Sequence, residues 1–293
     1  MIDDFFAFDP NFTGGVNIAA GELIDFDFFN FNVPGKTQLV TAADSGGGPH
    51  VKIWGDRDGD GHLDPVPLDS FFAYNPNFRG GVRVAIGGTL FGATNFPDSP
   101  TIVVHGNLIT AAGPGGGPHV KIWEDRDFDG KVSNDPLIAS FFAFAPHFTG
   151  GVYVASGGGL SFVTAAGAGG GPHVKVWRTS IDFITLEPQV ALTDSFFAYD
   201  PNFTGGVRVA YGPTFDGDIL VTVPGPGGGS HLKIFFDSNE NDQFSDEPPV
   251  FSELLTPQLD ELAELSGLNK FALRKYIATG GFTGGLFVSI FVD

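Results

Sequence analysis

The sequence has no cysteine, a single methionine and only 15 Lys and Arg among its 293 residues. Without cysteine, neither disulfide bonds nor thiolate metal ligands can stabilise the fold. The few cations stand against 34 Asp and Glu, so the net charge of -19 excludes nucleic acid and anionic membrane surfaces as expected partners. No apolar run approaches the ~18 residues of a membrane-spanning helix, so no membrane insertion is expected. The first residues, MIDDFFAFDP, show no basic region followed by an apolar one, so we expect no export signal there.

Glycine and phenylalanine are abundant instead. The chain has 43 Gly, 21 Pro and 32 Phe, and 42% of its residues are hydrophobic. So much Gly and Pro is typical of low-complexity disorder, but the hydrophobic content is sufficient for a packed core. The composition therefore predicts a folded chain.

Two phrases recur along the chain and define an internal repeat. The phrase FTGG, or FRGG once, begins at Phe12, Phe78, Phe148, Phe203 and Phe282. The phrase GGGPHVK, with small variations, contains His50, His119, His173 and His231. Because the phrases alternate, they predict four whole units, at about residues 12–77, 78–147, 148–202 and 203–256, with a further start near the C-terminal end.

Each unit contains short β-rich runs separated by Gly and Pro, which predict four strands per unit. In the second unit these runs are roughly 82–86, 102–111, 119–123 and 137–144. The third run alternates, with His119, Lys121 and Trp123 on one side, as in a strand with one packed face. The run FFAF or FFAY is apolar on both sides, so we expect both of its faces to be covered.

Four-stranded sheets that repeat at this period without helices between them are typical of blades around an axis. The predicted fold class is therefore all-β: a β-propeller of four full four-stranded blades in one domain, residues 1–293. Residues 257–280 predict a small helical insertion, which covers the seam of the propeller or, as the less favoured alternative, docks a partner. The closing strand, 282–293, leaves open a partial fifth blade.

The strongest chemical signal lies between the third and fourth strands of the first unit, in DRDGDGHLD (residues 56–64, loop 1). It supplies four carboxylates, at Asp56, Asp58, Asp60 and Asp64. Their spacing, with Gly61 at the sixth position, is that of a calcium loop, in which a hard cation takes ~6–8 oxygen ligands and glycine permits a sharp bend. The carbonyl of His62 is the expected ligand at the seventh position.

Two other units carry variants of this loop, which we number by their unit. Loop 2 (residues 125–133) predicts ligands at Asp125, Asp127, Asp129, the Lys131 carbonyl and Ser133. It has one carboxylate fewer than loop 1, which predicts weaker binding. Loop 4 (residues 237–245) keeps Asp237, Asn239 and Asn241 but has Asp242 at the glycine position. The third unit has lost the pattern. A solvated acidic turn is the alternative, but the spacing recurs, and close carboxylates repel one another without a cation.

The phrases FFAYDPNFTGGVRVA and TAAGPGGGPHVKIW resemble the FG-GAP or VCBS type of repeat of large bacterial secreted and surface proteins, which is related to the integrin α-subunit propeller. The resemblance covers roughly residues 3–256 and the closing strand. It implies a calcium-stabilised propeller outside the cell that serves adhesion or assembly. The family usually carries DxDxDG between its first and second strands, where this chain has only Asp25 and Asp27, so we expect calcium in the three loops instead.

The repeated residues outside the loops predict structural roles. Each repeated histidine opens a strand, where its imidazole can bond neighbouring backbone and secure a turn. The repeated lysines, Lys52, Lys121, Lys175 and Lys233, are expected to face solvent. The Gly-rich phrase lacks the ending of a phosphate loop and predicts a tight turn with close backbone approach. No Ser, His and acid grouping with an elbow motif is present, so we expect no enzyme.

Three functions are compatible with these features. The leading one is a non-enzymatic, calcium-stabilised module, extracellular or at the cell surface, that binds a protein, a glycan or copies of itself. The second is a self-assembling fibre subunit whose terminal strands, 5–8 and 286–292, complete a neighbour's blade. The third is a calcium-dependent lectin that uses exposed aromatic rings such as Trp54, Trp123 and Trp177.

Overall fold

The computed structural model describes residues 3–23, 37–96, 99–126, 129–157, 160–182, 184–185, 187–214 and 217–254. In this part of the chain, sixteen strands and no helix are formed. The strands make four antiparallel sheets of four, and in every sheet the strands lie side by side in chain order. The predicted all-β class with four strands per unit is confirmed.

Each sheet lies within one repeat unit, and we number the sheets in chain order. The first contains β1 (Val16–Gly21), β2 (Gln38–Ala43), β3 (His50–Trp54) and β4 (Asp69–Phe72). The second contains β5 (Val82–Phe96), β6 (Ser99–Ala112), β7 (His119–Trp123) and β8 (Ala139–Phe142). The third contains β9 (Val152–Ser156), β10 (Ser161–Ala166), β11 (His173–Ile181) and β12 (Pro188–Phe197). The fourth contains β13 (Val207–Thr214), β14 (Gly217–Pro224), β15 (His231–Asp237) and β16 (Phe251–Leu254).

The second unit shows how far glycine and proline determine where strands end. The predicted third strand matches β7, whereas the predicted first and second strands are too short. Strands β5 and β6 continue as a long hairpin through a register shift between Gly87 and Leu90. Glycine and proline therefore did not end these strands, because the backbone ladder continues across them to the pair Phe96 and Ser99. The fourth strand is shorter than predicted.

Consecutive sheets pack face to face through three hydrophobic clusters of buried residues. The first joins the first and second sheets and includes Val40, Val51, Val84 and Leu108. The second joins the second and third sheets and includes Ile109, Val120, Phe162 and Trp177. The third joins the third and fourth sheets and includes Val163, Val176, Leu220 and Phe235. The order of the sheets in space is therefore their order in the sequence.

The fourth strand of a sheet is called its outer strand here, and in each of the first three sheets it contacts the following sheet through an aromatic ring. The rings of Phe71 and Trp123 are 4.8 Å apart, and those of Phe141 and Trp177 are 4.6 Å apart. The corresponding pair further along is Phe196 with Phe235, at 5.3 Å. Side chains alternate along a strand, so only the first Phe of each FF pair can reach the next sheet.

The second Phe of each FF pair remains half exposed, with 51% for Phe72, 50% for Phe142 and 49% for Phe197. The expectation that both faces of this run are covered was therefore wrong. On this other face the outer strand packs against the histidine of its own sheet, as in the His50 and Phe72 pair at 5.0 Å. One ring leaves the face open to solvent.

The expectation that the repeated lysines face solvent was also wrong. Lys121 Nζ donates to the carbonyl oxygen of Ala73 at 2.7 Å and lies 5.2 Å from the ring centre of Tyr74 and 5.3 Å from that of Trp123. Lys52 makes the same donation to Ala7 at 2.7 Å. Burial lowers the pKa of both lysines. Each ammonium lies between two aromatic rings, one from its own sheet and one from the segment that packs on that sheet. The attraction of a cation to ring faces is strongest when water is excluded.

The three tryptophans are buried and not exposed as expected, with 4% of Trp54, 7% of Trp123 and 9% of Trp177 accessible. Each indole Nε1 donates to a buried threonine hydroxyl of the neighbouring strand in the same sheet, Thr41, Thr110 and Thr164 respectively. Burying an indole requires such a partner. Trp123 and Trp177 belong to interfaces between sheets, and Trp54 packs on Phe5 of the N-terminal segment.

The glycine phrases bring two backbone segments into close approach, as the sequence indicated. A Cβ added at Gly80 of FRGG would lie 1.9 Å from the carbonyl oxygen of Pro114. A Cβ at Gly113 would lie 1.9 Å from the carbonyl oxygen of Gly80. Only glycine leaves room for the hydrogen bond from Gly113 N to Gly81 O at 3.0 Å.

The predicted helical insertion (257–280), the closing strand (282–293) and Asp25 and Asp27 lie outside the described residues. Within the described ranges, no helix has the length and apolar character to cross a membrane.

Candidate metal centres

The three acidic loops occupy the same place in their sheets, between the third and the outer strand. Loop 1 follows β3, loop 2 follows β7 and loop 4 follows β15. In the third sheet, β11 and β12 are longer and only residues 182–187 connect them. The loss of the acidic pattern in the third unit thus coincides with the loss of the loop itself.

Loop 1 brings three of its predicted ligands together. Carboxylate oxygens of Asp56, Asp58 and Asp60 all lie within 4.8 Å of one another. Within the described residues, this is the one group of three or more such side chains that could hold a metal ion. Backbone amides fix the side chains: Gly61 N donates to Asp56 Oδ2 at 3.0 Å, and His62 N donates to Asp60 Oδ1 at 2.8 Å. These bonds turn alternate carboxylates toward one another, as oxygen coordination of a hard cation requires.

The sixth position of each loop adopts a left-handed backbone. Gly61 has a φ of 87° and Gly130 in loop 2 has a φ of 85°. In loop 4 the same position is occupied by Asp242, with a φ of 58°. Asp is one of the few residues other than glycine that tolerate this region. The missing glycine of loop 4 therefore does not prevent the loop from forming.

Loops 2 and 4 repeat the hydrogen bonds of loop 1. At the first position, Asp125 accepts from Gly130 N at 2.8 Å and Asp237 accepts from Asp242 N at 2.7 Å. At the fifth position, Asp129 accepts from Lys131 N and Asn241 accepts from Gln243 N, both at 2.8 Å. Asn239 Oδ1 accepts from Asn241 N at 3.2 Å, as Asp58 Oδ1 does from Asp60 N in loop 1. Asp127 lies outside the described residues.

The ninth position is held away from the other ligands in loops 1 and 2. Asp64 accepts from Arg57 N at 2.8 Å. The hydroxyl of Ser133 donates to Asp69 Oδ1, on the outer strand of the preceding sheet, at 2.8 Å. Loop 2 also carries an ion pair between Lys131 Nζ and Asp129 Oδ2 at 3.3 Å. Among the ligand residues that the structure describes, those of loop 1 are thus the best arranged for a divalent cation.

His62 contributes to loop 1 beyond its carbonyl. Its imidazole Nδ1 lies 2.9 Å from Asp3 Oδ1, and this hydrogen bond holds the pKa of Asp3 below its usual value. The contact attaches the loop to the N-terminal segment. Sequence reasoning missed it because Asp3 lies far from the loop in the chain.

The four repeated histidines do not converge. Each Nε2 pairs with a serine hydroxyl on the outer strand of its own sheet, at distances of 2.8 to 2.9 Å, with the partners Ser70, Ser140, Ser195 and Ser252. Burial, and next the charge of the lysine two residues on, lowers the pKa of each histidine. The expected structural role is thus supplied through a hydroxyl and not through backbone.

Sequence reasoning missed a polar cavity of about 320 Å³ between the third and fourth sheets. Its charged and hydroxyl lining comprises Ser161, Arg178, Asp218, Asp237, Glu240 and Asp242. Asp242 crosses the interface, accepting from Ser161 Oγ at 2.7 Å and from Arg178. Burial raises the pKa of Asp218, which accepts from the Tyr211 hydroxyl. The one sequence signal for this contact was the aspartate at a glycine position.

No family model matches the chain, and no curated protein matches it. Among solved structures, it is similar to Chaetomium thermophilum Sqt1 bound to the N-terminus of a ribosomal protein, with 14% identity and a TM-score of 0.42 over 77% of this chain and 49% of that chain. It is also similar to a mutant of an α-L-arabinofuranosidase from Fusarium graminearum in complex with an iminosugar inhibitor, with 11% identity and a TM-score of 0.41 over 82% of this chain and 66% of that one. The matched part is about half the length of the first protein and just under two thirds of the second.

Proposed function

We propose that this chain is a non-enzymatic β-propeller module that is stabilised by calcium and acts in adhesion or assembly outside the cell. The observation that carries the proposal is the group of Asp56, Asp58 and Asp60 oxygens within 4.8 Å of one another. The same hydrogen-bonded loop recurs at equivalent places in two other sheets. Three carboxylates at this separation repel one another unless a cation lies between them.

The propeller arrangement is supported by the way the first strands follow one another. Strand β1 lies against β5, β5 against β9, and β9 against β13. On β1, Ile18 is 67% exposed and Val16 is 44% exposed, so this strand has apolar surface to bury. The FTGG phrase at Phe282 matches the phrase before each first strand, so the sequence predicts one more first strand, the closing strand 282–293.

The non-enzymatic part of the proposal is supported by the uniform setting of the histidines. The same His and Ser pair recurs in all four sheets, and three of these histidines lie against the half-exposed Phe of their own sheet. A reactive group is needed once in a site, whereas a structural pair recurs with the repeat. The pair therefore links the third strand of each sheet to its outer strand.

The proposal is tested by isothermal titration with calcium and by thermal unfolding in calcium and in EGTA. A ligand that binds only the folded chain at a hundredfold excess over its Kd adds about 2.7 kcal/mol of stability, so calcium raises the unfolding temperature. Asp58→Ala and Asp60→Ala remove exposed ligands of loop 1 and reduce the number of sites by one. Asp200→Asn, an exposed carboxylate outside the loops, is the control. Equal unfolding temperatures in calcium and EGTA would refute the proposal.

The fibre subunit is a second proposal, supported by the N-terminal segment. Phe5 lies 4.9 Å from Trp54, and Ala7 accepts from Lys52, so residues 3–8 contact the first sheet as an outer strand of a preceding sheet does. These residues pair with no strand of the described chain. Mass photometry over a range of concentrations tests it, because only a fibre subunit forms chains as concentration rises. The lectin alternative loses its expected rings, since all three tryptophans are buried.

A further inference from the structure

We propose that Asp3, Asp69 and Asp194 are positioning residues, each of which holds the cation loop of the sheet that follows it. Each is a carboxylate on an outer strand or on the segment in its place, two residues before the Phe that contacts the next sheet. We call this contact the carboxylate clamp. Its coupling to calcium rests on the proposed function, whereas its geometry does not.

The clamp is clearest between Asp69 and loop 2. Asp69 is 6% exposed, and its Oδ2 accepts from Val132 N at 3.1 Å and from Ser133 N at 2.9 Å. Its Oδ1 accepts from Ser133 Oγ at 2.8 Å. A buried carboxylate is costly unless donors surround it. Here the donors are Ser70 N on its own strand and the eighth and ninth residues of the neighbouring loop.

The same contact recurs at the other two loops. Asp194 is 8% exposed and accepts from Ser245 N at 2.8 Å and from Ser245 Oγ at 2.7 Å, in loop 4. Asp3 accepts from Leu63 N at 3.2 Å, in loop 1. Leu63 and Ser245 occupy the eighth and ninth positions of their loops, as Val132 and Ser133 do in loop 2. The contact is thus specific to one part of the loop.

The clamp is absent where the following sheet has no loop. In the ladders, Ile53 faces Asp69, Ile122 faces Ala139, and Val176 faces Asp194. Ala139 therefore stands at the clamp position of the second sheet, and the third sheet that follows has only the short connection 182–187. A carboxylate that served the strand itself would be needed in every sheet. Because the second sheet has Ala139 at this position, we infer that the carboxylate serves the following loop.

The clamp fixes the loop on the side of its seventh and ninth positions. The eighth residue of the loop is anchored in the interface, since Val132 is 2% exposed and Phe244 is 1% exposed. In loop 2 the amides of the eighth and ninth residues are both held from the preceding sheet, so the seventh carbonyl is held in the place where it can face a cation. Binding free energy is reciprocal: if the clamped interface favours cation binding, the cation equally favours the clamped interface.

The test follows loops individually in the full chain. Calcium is titrated while amide hydrogen exchange is measured for peptides from loops 1, 2 and 4 in the same sample. In Asp69→Ala, the midpoint of protection for loop 2 rises at least tenfold, about 1.4 kcal/mol, while loop 1 stays within twofold. Asp69→Asn keeps one accepting oxygen and shifts loop 2 less. Asp200→Asn shifts neither loop, and Asp194→Ala shifts loop 4 alone.

A second arm of the test needs no metal. In EGTA, Asp69→Ala accelerates exchange at residues 132–133 and leaves loop 4 unchanged, since only loop 2 has lost its acceptor. If Asp69→Ala does not fold, Asp69→Asn replaces it, with an expected threefold shift. Unchanged midpoints, or equal shifts in loops 1 and 2, overturn the coupling. Unchanged exchange in EGTA overturns the clamp. Calcium protection absent from every loop of the unaltered chain overturns the proposed function and the coupling together.

Discussion

Lys121 and Ala73 join the first and second sheets through a single hydrogen bond, from Nζ to the backbone carbonyl oxygen at 2.7 Å. The ammonium lies between the rings of Tyr74 and Trp123, which belong to different sheets. One side chain therefore satisfies a carbonyl at the end of an outer strand and holds two aromatic rings together. The arrangement recurs at Lys52 and Ala7.

We predict that Lys121→Met destabilises the chain by about 2 kcal/mol, because the methionine keeps most of the apolar stem but leaves the carbonyl without its charged donor. Urea unfolding followed by tryptophan fluorescence measures the loss. Lys131→Met, whose ammonium meets only the exposed Asp129, is the control and changes stability by less than about 0.5 kcal/mol. Equal effects of the two substitutions would contradict the role of Lys121.

Neighbouring phenylalanines of one outer strand should differ in their contributions. Phe141→Ala removes the ring that packs on Trp177 and is expected to cost about 3 kcal/mol. Phe142→Ala removes a ring that is 50% exposed and is expected to cost about 1 kcal/mol or less. Paired urea unfolding curves compare them directly. A larger effect at Phe142 would show that the half-exposed ring has a partner in solution.

Stability should fall as the pH drops through the range in which histidine titrates. The pKa of the repeated histidines is lowered by burial, and next by the nearby lysine, from an ordinary value of 6.5. The unfolded chain therefore binds protons first, and stability that is complete above pH 6.5 is lost progressively below it, down to the lowered pKa. NMR titration of the imidazole Cε1 protons measures the shift. A pKa at or above 6.5 in the folded chain would contradict this assignment.

The aspartate at the glycine position of loop 4 should stabilise the folded chain more than a glycine there would. Asp242→Gly relieves a left-handed backbone but breaks the contacts with Ser161 and Arg178. We expect a net loss of about 1 to 2 kcal/mol, because a partly buried ion pair loses one member. In a double-mutant cycle with Arg178→Ala, the second substitution adds little. Additive losses would show that Asp242 and Arg178 do not act together.

The sequence predicted the features that recur within one unit. The number of strands per unit, the ends of β7 and the loop residues Asp56, Asp58 and Asp60 followed from repeated phrases, because each depends on neighbours in the chain. The ends of β5 and β6 did not, since ladder pairing extended them past glycine and proline.

The contacts between units could not be predicted from one unit alone. Periodicity placed Lys121 and Trp123 on one face of a strand, but it did not show which face the preceding sheet covers. The clamp of Asp69 on Ser133 joins residues 64 positions apart. A comparison of the outer-strand phrases would have shown Asp69 and Asp194 aligned with Ala139. Ala139 precedes the one sheet without an acidic loop, which is why the carboxylate can be connected to the loop.

The interfaces between consecutive sheets are consequently of two chemical kinds. The junction of the first and second sheets and that of the third and fourth each include a carboxylate with its amide donors. The junction of the second and third sheets has Ala139 at that position instead. Apolar contacts weaken on cooling, while contacts to a carboxylate weaken in acid. Cold should therefore loosen the Ala139 junction first and low pH the others, so that the same chain separates at different seams under the two conditions.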